Sequence, residues 1–219
     1  MKQSEKTKNT YRKILMSAIE EFSEKSYDNA SLNAICEKYN ISKGIIYYHF
    51  KNKDELYLCS VEECFNKFMK HLKVGDYSGN DPREDMKKLL LLRQDFFERF
   101  PRYQNIFFGA VLTPPAHLIE RIKSIKKEYD ALNIKIFKAL LKKVKLRKGI
   151  TEEMGISYFL AYQEMFNGYF QNKIYKTKDL SSIGKEHDVK LVSILDVMLY
   201  GIALDENEED NAVNGGENL

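Results

Sequence analysis

A run of hydrogen-bond donors and aromatic side chains lies between Ser42 and Lys53, in the stretch SKGIIYYHFKNK. Lysine can bond guanine acceptors or phosphate oxygens, and serine and tyrosine hydroxyls can donate to phosphate. An isoleucine such as Ile45 can touch a thymine methyl group. Gly44 has no side chain, so the backbone beside it can approach a base pair or phosphate closely, although glycine costs about 1 kcal/mol in a helix. These residue types match contacts to a nucleic acid.

Two short helices joined by a tight turn are predicted to present this run. Ser31 is the expected N-cap of the first short helix, and Ser42 is the expected cap of the second, which continues through about His49. Ile46 and Phe50 are four residues apart and are expected to face the first short helix as a buried ridge. Such a helix-turn-helix unit places its second helix in the DNA major groove. The positions left facing outward are Ser42, Lys43, Ile45, Tyr47, Tyr48 and His49.

The rest of the chain is predicted to be helical as well. Apolar residues recur at helical spacing almost everywhere, and the four prolines and eleven glycines fall at breaks. The pattern predicts an all-α fold of about nine helices, with no convincing strand. Asn52, with Glu55 three residues later, is expected to open a fourth helix that reaches about Leu72. The remaining expected helical segments are 81–101, 103–110, 113–149, 151–172 and about 187–204.

Composition excludes several classes of protein. No apolar run is long enough to cross a membrane, and the N-terminus has no apolar signal-peptide core, so a cytoplasmic location is expected. The three cysteines form no C-x-x-C pair and the four histidines share no ligand spacing, so neither a metal nor a cofactor is predicted. The sequence also has no Ser-His-Asp or H-E-x-x-H arrangement and no glycine-rich phosphate loop, so an enzyme is not expected.

The charge is distributed unevenly along the chain. Residues 1–204 hold 35 basic and 26 acidic residues, a net charge of +9, whereas residues 205–219 hold six acids and no base. A net-basic body suits a polyanionic partner, and lysine-rich helical proteins often share this bias. The acidic tail is predicted to be disordered.

The stretch from about Tyr11 to Tyr57 resembles the DNA-binding domain of the TetR family of transcriptional regulators. The resemblance is carried by an aromatic residue before the SL that starts the second helix, by an I-C pair within that helix, and by SKG-I-I-YYHF-KNKDEL. It implies an N-terminal three-helix DNA-binding domain with a helix-turn-helix, and a larger helical domain for ligand binding and dimerisation. The expected divisions are 1–52 for the first domain, 53–74 for a connecting helix, 75–204 for the larger domain and 205–219 for the tail.

The resemblance also implies which residues contact DNA. The cap of the second helix touches phosphate, and the first residues of the third helix form the leading edge that reads the bases. The aromatic and histidine positions contact the DNA backbone, as does the lysine that starts the fourth helix, where free N–H groups also favour phosphate. Isoleucine at the variable position favours a methyl contact. The implied DNA-contacting residues are Ser31, Ser42, Lys43, Gly44, Ile45, Tyr47, Tyr48, His49 and Lys53.

The resemblance implies that residues from about 75 onward bind an effector. Aromatic residues are dense in three separate helices of this region, more so than one helix face needs. Ordinary core packing explains any single aromatic equally well. The alternative is a mostly apolar cavity for a small apolar or aromatic molecule, with polar side chains such as Gln163 and Asn167 at its edge. The predicted cavity residues are Phe96, Phe100, Tyr103, Phe107, Tyr129, Tyr162 and Phe166.

A homodimer is the second implication of the resemblance, with the last two helices as the contact surface. An apolar stripe on the last helix, with Gly201 permitting close approach, suits this role, although the same stripe could complete the core of one subunit. The predicted interface residues are Phe159, Phe170, Leu191, Ile194, Leu195, Met198 and Ile202.

Together these features predict a DNA-binding transcriptional regulator. The favoured form is a repressor that binds a palindromic DNA operator as a homodimer and is released by an apolar or aromatic effector. Two alternatives stay open: the same regulator without a small-molecule effector, and a helical carrier of apolar ligands.

Overall fold

The computed structural model describes the backbone of residues 3–177 and 179–202, and the side chains of residues 5–177, 179–199 and 201. The predicted tail at 205–219 and the side chain of Ile202 lie outside these residues. The described chain confirms the all-α expectation, and none of its helices combines the length and apolar character that crossing a bilayer requires. A 3₁₀ turn at Ala116–Leu118 follows the sixth helix. The α-helices are α1 (Gln3–Asn29), α2 (Leu32–Tyr39), α3 (Lys43–His49), α4 (Lys53–Leu72), α5 (Pro82–Arg99), α6 (Pro101–Leu112), α7 (Ile119–Leu141), α8 (Glu152–Thr177) and α9 (Leu180–Ile202).

Polar caps set the starts of the short N-terminal helices. The Ser31 hydroxyl accepts a hydrogen bond from the Ala34 N–H at 3.0 Å, which begins α2. The Asn52 side chain accepts from the Glu55 N–H at 2.9 Å, and the Glu55 carboxylate accepts from the Lys51 N–H at 2.6 Å. Each cap satisfies N–H groups that have no partner within the helix. The predicted starts of α2 and α4 are therefore confirmed.

Helix α4 is the central element, and it packs against α1, α5, α6 and α7. Phe68 lies four residues before its end and contacts the rings of Phe96 and Tyr129 at centroid distances of 5.0 and 5.6 Å. The helix starts beside α3 and ends at the buried Leu72 inside the larger domain. One continuous helix thus joins the N-terminal unit to the C-terminal one.

Four predicted helix boundaries are wrong, and one of them is the start of the long helix, which is expected at 113 but lies at Ile119. The long helix expected to reach Gly149 ends at Leu141, and Gly149 lies in the following loop with φ of +87°, a conformation that favours glycine. The loop is anchored by Lys143, whose ammonium contacts the buried carboxylate of Asp85 and donates to the Tyr77 carbonyl at 2.6 Å. Helix α8 continues to Thr177 instead of ending near 172, and α9 begins seven residues earlier than expected.

Candidate DNA-reading surface and effector cavity

Helix α3 presents its polar and aromatic residues outward, as its spacing predicted. Ile46 and Phe50 are buried against the N-terminal unit, whereas Tyr48 is 78 % exposed. His49 is half-buried at the end of the helix. The outward-facing set can therefore meet a partner without any rearrangement of the core. The other exposed members of the predicted DNA-contacting set on this element are Ser42, Lys43, Gly44, Ile45 and Tyr47.

Tyr11 on α1 packs against the end of α3, a contact that was not predicted from the sequence. Its ring stacks on Phe50 at a centroid distance of 4.9 Å and meets the edge of His49 at 6.0 Å. Burial, with the neighbouring Cys59, raises the pKa of Tyr11 to about 12, so its hydroxyl stays protonated. An aromatic residue three positions before the apolar face of α1 was the available signal.

Gly44 has open space around it. A methyl group added there would meet no atom of the described residues within 4 Å, apart from its chain neighbours and its own helix. Packing within the protein therefore gives no reason for a glycine in a helix, where it costs stability. The open space at Gly44 agrees with close approach of a partner to the backbone at this position.

Ser31 and Lys53 belong to the helices that precede and follow α3 in the chain. Ser31 is exposed, and its hydroxyl already caps α2. The Lys53 ammonium lies 3.4 Å from the Asp28 carbonyl oxygen and 4.5 Å from the centre of the Tyr27 ring. Lys53 must therefore leave the Tyr27 ring to reach a phosphate, which is a local side-chain motion.

A polar contact joins the start of α4 to the larger domain. The Tyr27 hydroxyl donates to the Asp54 carboxylate, and His117 Nε2 lies 3.3 Å from the same carboxylate. The Tyr27 hydrogen bond, together with His117, holds the pKa of Asp54 below its usual value. Because His117 belongs to the 3₁₀ turn after α6, this contact links that turn to the first turn of α4.

A cavity of about 100 Å³ lies between α4, α5, α6, α7, α8 and α9. Four predicted residues line it, namely Phe107, Tyr129, Tyr162 and Phe166. Leu72, the last residue of α4, also lines it. The cavity therefore touches the helix that leads to α3.

Three predicted cavity residues do not line this cavity. Phe96 is buried against Phe68 and Phe97, and Tyr103 is buried where its carbonyl accepts from the Cys64 thiol. Phe100 is 41 % exposed at the junction of α5 and α6. The reason is the turn at this junction, which directs these rings toward α4 and solvent. Helix α5 does line the cavity, but through residues that lie one to three turns before Phe96, namely Met86, Leu89, Leu90 and Arg93.

The cavity has an apolar end and a polar end. The later turns of α7, together with Phe159 of α8 and Met198 of α9, form the apolar end. The rings of Phe137 and Phe159 stack there at 4.3 Å. The polar lining residues are Arg93, Lys126, Asn133, Gln163, Asn167 and His187.

Arg93 ties three of the lining helices together. Its Nε donates to Asp188 at 2.7 Å and its guanidinium donates to the Tyr129 hydroxyl at 3.1 Å. Burial alone would raise the pKa of Asp188, but Arg93 and His187 hold it below its usual value. His187 Nε2 lies 3.2 Å from Asn167 Oδ1, and burial lowers the pKa of His187. The histidine is therefore neutral near pH 7.

An open groove of about 1100 Å³ runs between α5 and α9, outside the cavity. Met86, Leu90, Arg93 and Leu195 line both spaces. These four side chains therefore separate the cavity from solvent on this side.

Three of the predicted interface residues, Phe159, Phe170 and Met198, are buried within the subunit, so their assignment to an interface is corrected. Phe170 is 0 % exposed and packs on Phe166 and His187. Phe159 and Met198 are buried at the apolar end of the cavity. The half-buried residues Leu191, Ile194 and Leu195 line the same cavity. The apolar stripe of α9 faces inward because the cavity and α7 lie beneath it.

Comparison with known proteins gives a family match in the N-terminal unit. The family model described as "Bacterial regulatory proteins, tetR family" matches residues 14–58. A Staphylococcus epidermidis protein, the biofilm operon icaADBC HTH-type negative transcriptional regulator IcaR, is 33% identical over 130 residues. That alignment covers 59% of this chain and 66% of the relative, slightly less than two thirds of its length. The Staphylococcus aureus IcaR is 29% identical over 135 residues, which cover 58% of this chain and 73% of that protein.

Solved structures share the fold over nearly the whole chain. A transcriptional regulator FadR from Bacillus subtilis, in complex with stearoyl-CoA, has a TM-score of 0.59 and 16% identity, and the match covers 88% of this chain and 99% of that one. A TetR-family transcriptional regulator from Agrobacterium tumefaciens has a TM-score of 0.60 and 14% identity, with 90% and 100% of the two chains covered. At these identities the likeness shows the fold alone.

Proposed function

The chain belongs to the TetR family of bacterial regulatory proteins, and from this premise we propose that it represses transcription by binding a palindromic operator as a homodimer. The observation that carries this proposal is the exposed face of α3, where donors and aromatic rings flank Gly44, a glycine with open space around it. Such a face fits the major groove, where backbone approach and side-chain donors give contacts to phosphates and base edges. The Staphylococcus relatives are named as negative regulators, which favours repression.

We further propose that a small apolar or aromatic molecule occupies the cavity and lowers operator affinity. Helix α4 joins the cavity to α3, because its last residue, Leu72, lines the cavity and its first residue, Lys53, follows α3 closely in the chain. The His117 contact with Asp54 provides a second connection to the start of α4. A ligand shifts the protein only if it prefers one conformation, and a tenfold preference corresponds to about 1.4 kcal/mol. The Bacillus subtilis FadR complex with stearoyl-CoA supports an effector site within this fold.

The proposed dimer surface is again formed by α8 and α9, but by other residues than the sequence suggested. Met165 on α8 and Val197 on α9 are 61 % and 60 % exposed, and the half-exposed Tyr169 of α8 contacts Lys190 of α9. Large apolar side chains that stay exposed on adjacent helices favour a protein contact. In a two-fold dimer the same residues of both subunits meet, and the two α3 helices can read inverted half-sites.

The test is footprinting of the purified protein on the DNA upstream of its own gene, followed by selection of binding sites from random sequence. We expect a protected site with inverted symmetry. Lys43→Ala, which removes an exposed cation from the leading edge of α3, should weaken specific binding by about 1–3 kcal/mol if the lysine contacts a base. A selected motif without inverted symmetry contradicts the dimeric mode, and the absence of any specific site contradicts the regulator itself.

A further inference from the structure

We propose that the effector is an amphipathic carboxylate, and that Lys126 binds its anionic head at the polar end of the cavity. This inference rests on the proposed function of the cavity as an effector site. It adds the charge of the ligand, its orientation and the residue that selects it.

The charged side chains that line the cavity are all basic. Among the described residues, the lining includes Arg93 and Lys126 but no aspartate or glutamate. The other polar groups are the neutral His187 and the amides of Asn133, Gln163 and Asn167. A cationic head would meet no carboxylate there, whereas an anionic head would meet ammonium and N–H donors.

Arg93 is not free to bind the head. Its guanidinium is buried in an ion pair with Asp188, whose side chain is only 15 % exposed, and it is hydrogen-bonded to Tyr129. Drawing Arg93 toward a ligand would leave Asp188 as a buried charge without its partner, which is costly. Arg93 therefore holds α5, α7 and α9 in place and is a positioning residue.

Lys126 is more exposed than Arg93, and so is its acidic partner. Its side chain is 23 % exposed, and its partner Asp130 is 34 % exposed one turn later on the same helix. Partly exposed ion pairs of this spacing contribute little to stability, so the carboxylate of Asp130 can return to water when the lysine turns inward. The lysine stem is long and flexible, and its ammonium already lies 6.0 Å from the centre of the Tyr129 ring. Lys126 is thus the lining cation that can change partner at small cost.

The shape of the cavity fixes the orientation of the ligand. Lys126 and Leu140 both line it and are fourteen residues apart on α7, which corresponds to about 21 Å at 1.5 Å per residue. The head lies near the start of α7, and the apolar body extends toward Phe137 and Phe159. The present volume of about 100 Å³ is less than the roughly 150 Å³ that holds benzene, so a ligand of this length must push the separating side chains Met86, Leu90 and Leu195 toward the outer groove.

The experiment compares three probes of equal chain length on the full chain: octanoate, 1-octanol and octylammonium. Affinity and stoichiometry are measured by calorimetry, and operator affinity is measured with each probe present. We expect one octanoate per chain, bound about tenfold or more tightly than 1-octanol, with octylammonium weakest. Lys126→Gln should weaken the binding of octanoate by about tenfold and change the affinity for 1-octanol by less than about twofold. Lys126→Arg should keep the preference for octanoate over 1-octanol. The matched control is Lys123→Gln, which removes an exposed cation of the same helix and should change neither.

The possible results distinguish a failure of the carboxylate assignment from a failure of the proposed effector control. Equal affinity for octanoate and 1-octanol, or octanoate affinity unchanged in Lys126→Gln, overturns the carboxylate assignment even if both probes release the operator. Octanoate that binds through Lys126 but leaves operator affinity unchanged supports the binding site and contradicts the proposed switch. If no carboxylate, alcohol or amine from butyl to dodecyl binds, both the effector cavity and its head-group preference are wrong.

Discussion

Gly44 lies in the first turn of α3, where an added methyl group would meet open space. We predict that Gly44→Ala leaves the protein as stable as before or stabilises it by up to about 1 kcal/mol, because alanine is the better helix former. Operator affinity should nevertheless fall by about tenfold, since the methyl group occupies space that the DNA backbone needs. Urea unfolding and a gel-shift titration on the same preparation measure the two effects. Unchanged operator affinity would show that the glycine serves no close approach.

Lys53 belongs to the positively polarised start of α4, and the proposed contact is to a phosphate. Lys53→Ala should weaken binding to all DNA sequences alike and lower the salt dependence of log K by about one unit. Titrations at several salt concentrations give this slope. Lys87→Ala on the remote α5 is the control, because it also removes one lysine charge, but at an exposed position far from α3. A slope that falls equally in both variants would argue against a direct contact by Lys53.

Single residues differ in how far their roles can be predicted from sequence. Caps such as Ser31 and Asn52 act within four residues, so local sequence predicts them well. The burial of Arg93 could not be predicted, because an arginine within a helix usually faces water. Its burial depends on Asp188, which lies ninety-five residues later in the chain. Only the fold brings the two charges together.

Among the helices, α9 carries the group that should make stability depend on pH. The pKa of His187 is lowered by burial, so near neutral pH the unfolded chain binds more protons at this position than the folded chain. Stability should therefore fall as pH drops below the usual histidine value of about 6.5, and continue to fall until the folded pKa is reached. His187→Gln should make the unfolding free energy less dependent on pH between about 7 and 5. Urea unfolding across this range is the measurement. An identical pH dependence in the variant would assign the effect to other groups.

Helix positions were easier to predict than helix ends and partners. Periodicity identified the apolar stripe of α9 correctly, but it could not tell whether another subunit or the cavity lies beneath it. The end of α7 was missed because it depends on the contact between Lys143 and Asp85, which are fifty-eight residues apart. The cavity was predicted in the right group of helices, yet α5 enters it through an earlier turn than its aromatic residues suggested.

The proposed dimer of the whole molecule can be tested with substitutions at exposed positions, which leave the core unchanged. Met165→Glu combined with Val197→Glu should produce folded monomers that lose specific operator binding, because an interface cannot bury unpaired carboxylates without a large cost. Light scattering and circular dichroism measure mass and helicity. Leu91→Glu, at an exposed apolar position on α5, is the matched control and should remain dimeric. A double variant that is still dimeric would place the interface on another surface.

The enclosure of Arg93 also gives its side chain a distinctive NMR signal. The guanidinium lies 4.9–5.8 Å from the centres of four phenylalanine rings, those of Phe68, Phe97, Phe107 and Phe108, and its Nε–H is bonded to Asp188. Ring currents should displace the resonance of that proton, and its shielding from water should slow its exchange with solvent. A single well-separated peak in a ¹H–¹⁵N spectrum would then report from the wall of the cavity. Its movement on addition of a compound would distinguish molecules that enter the cavity from those that bind elsewhere on the surface.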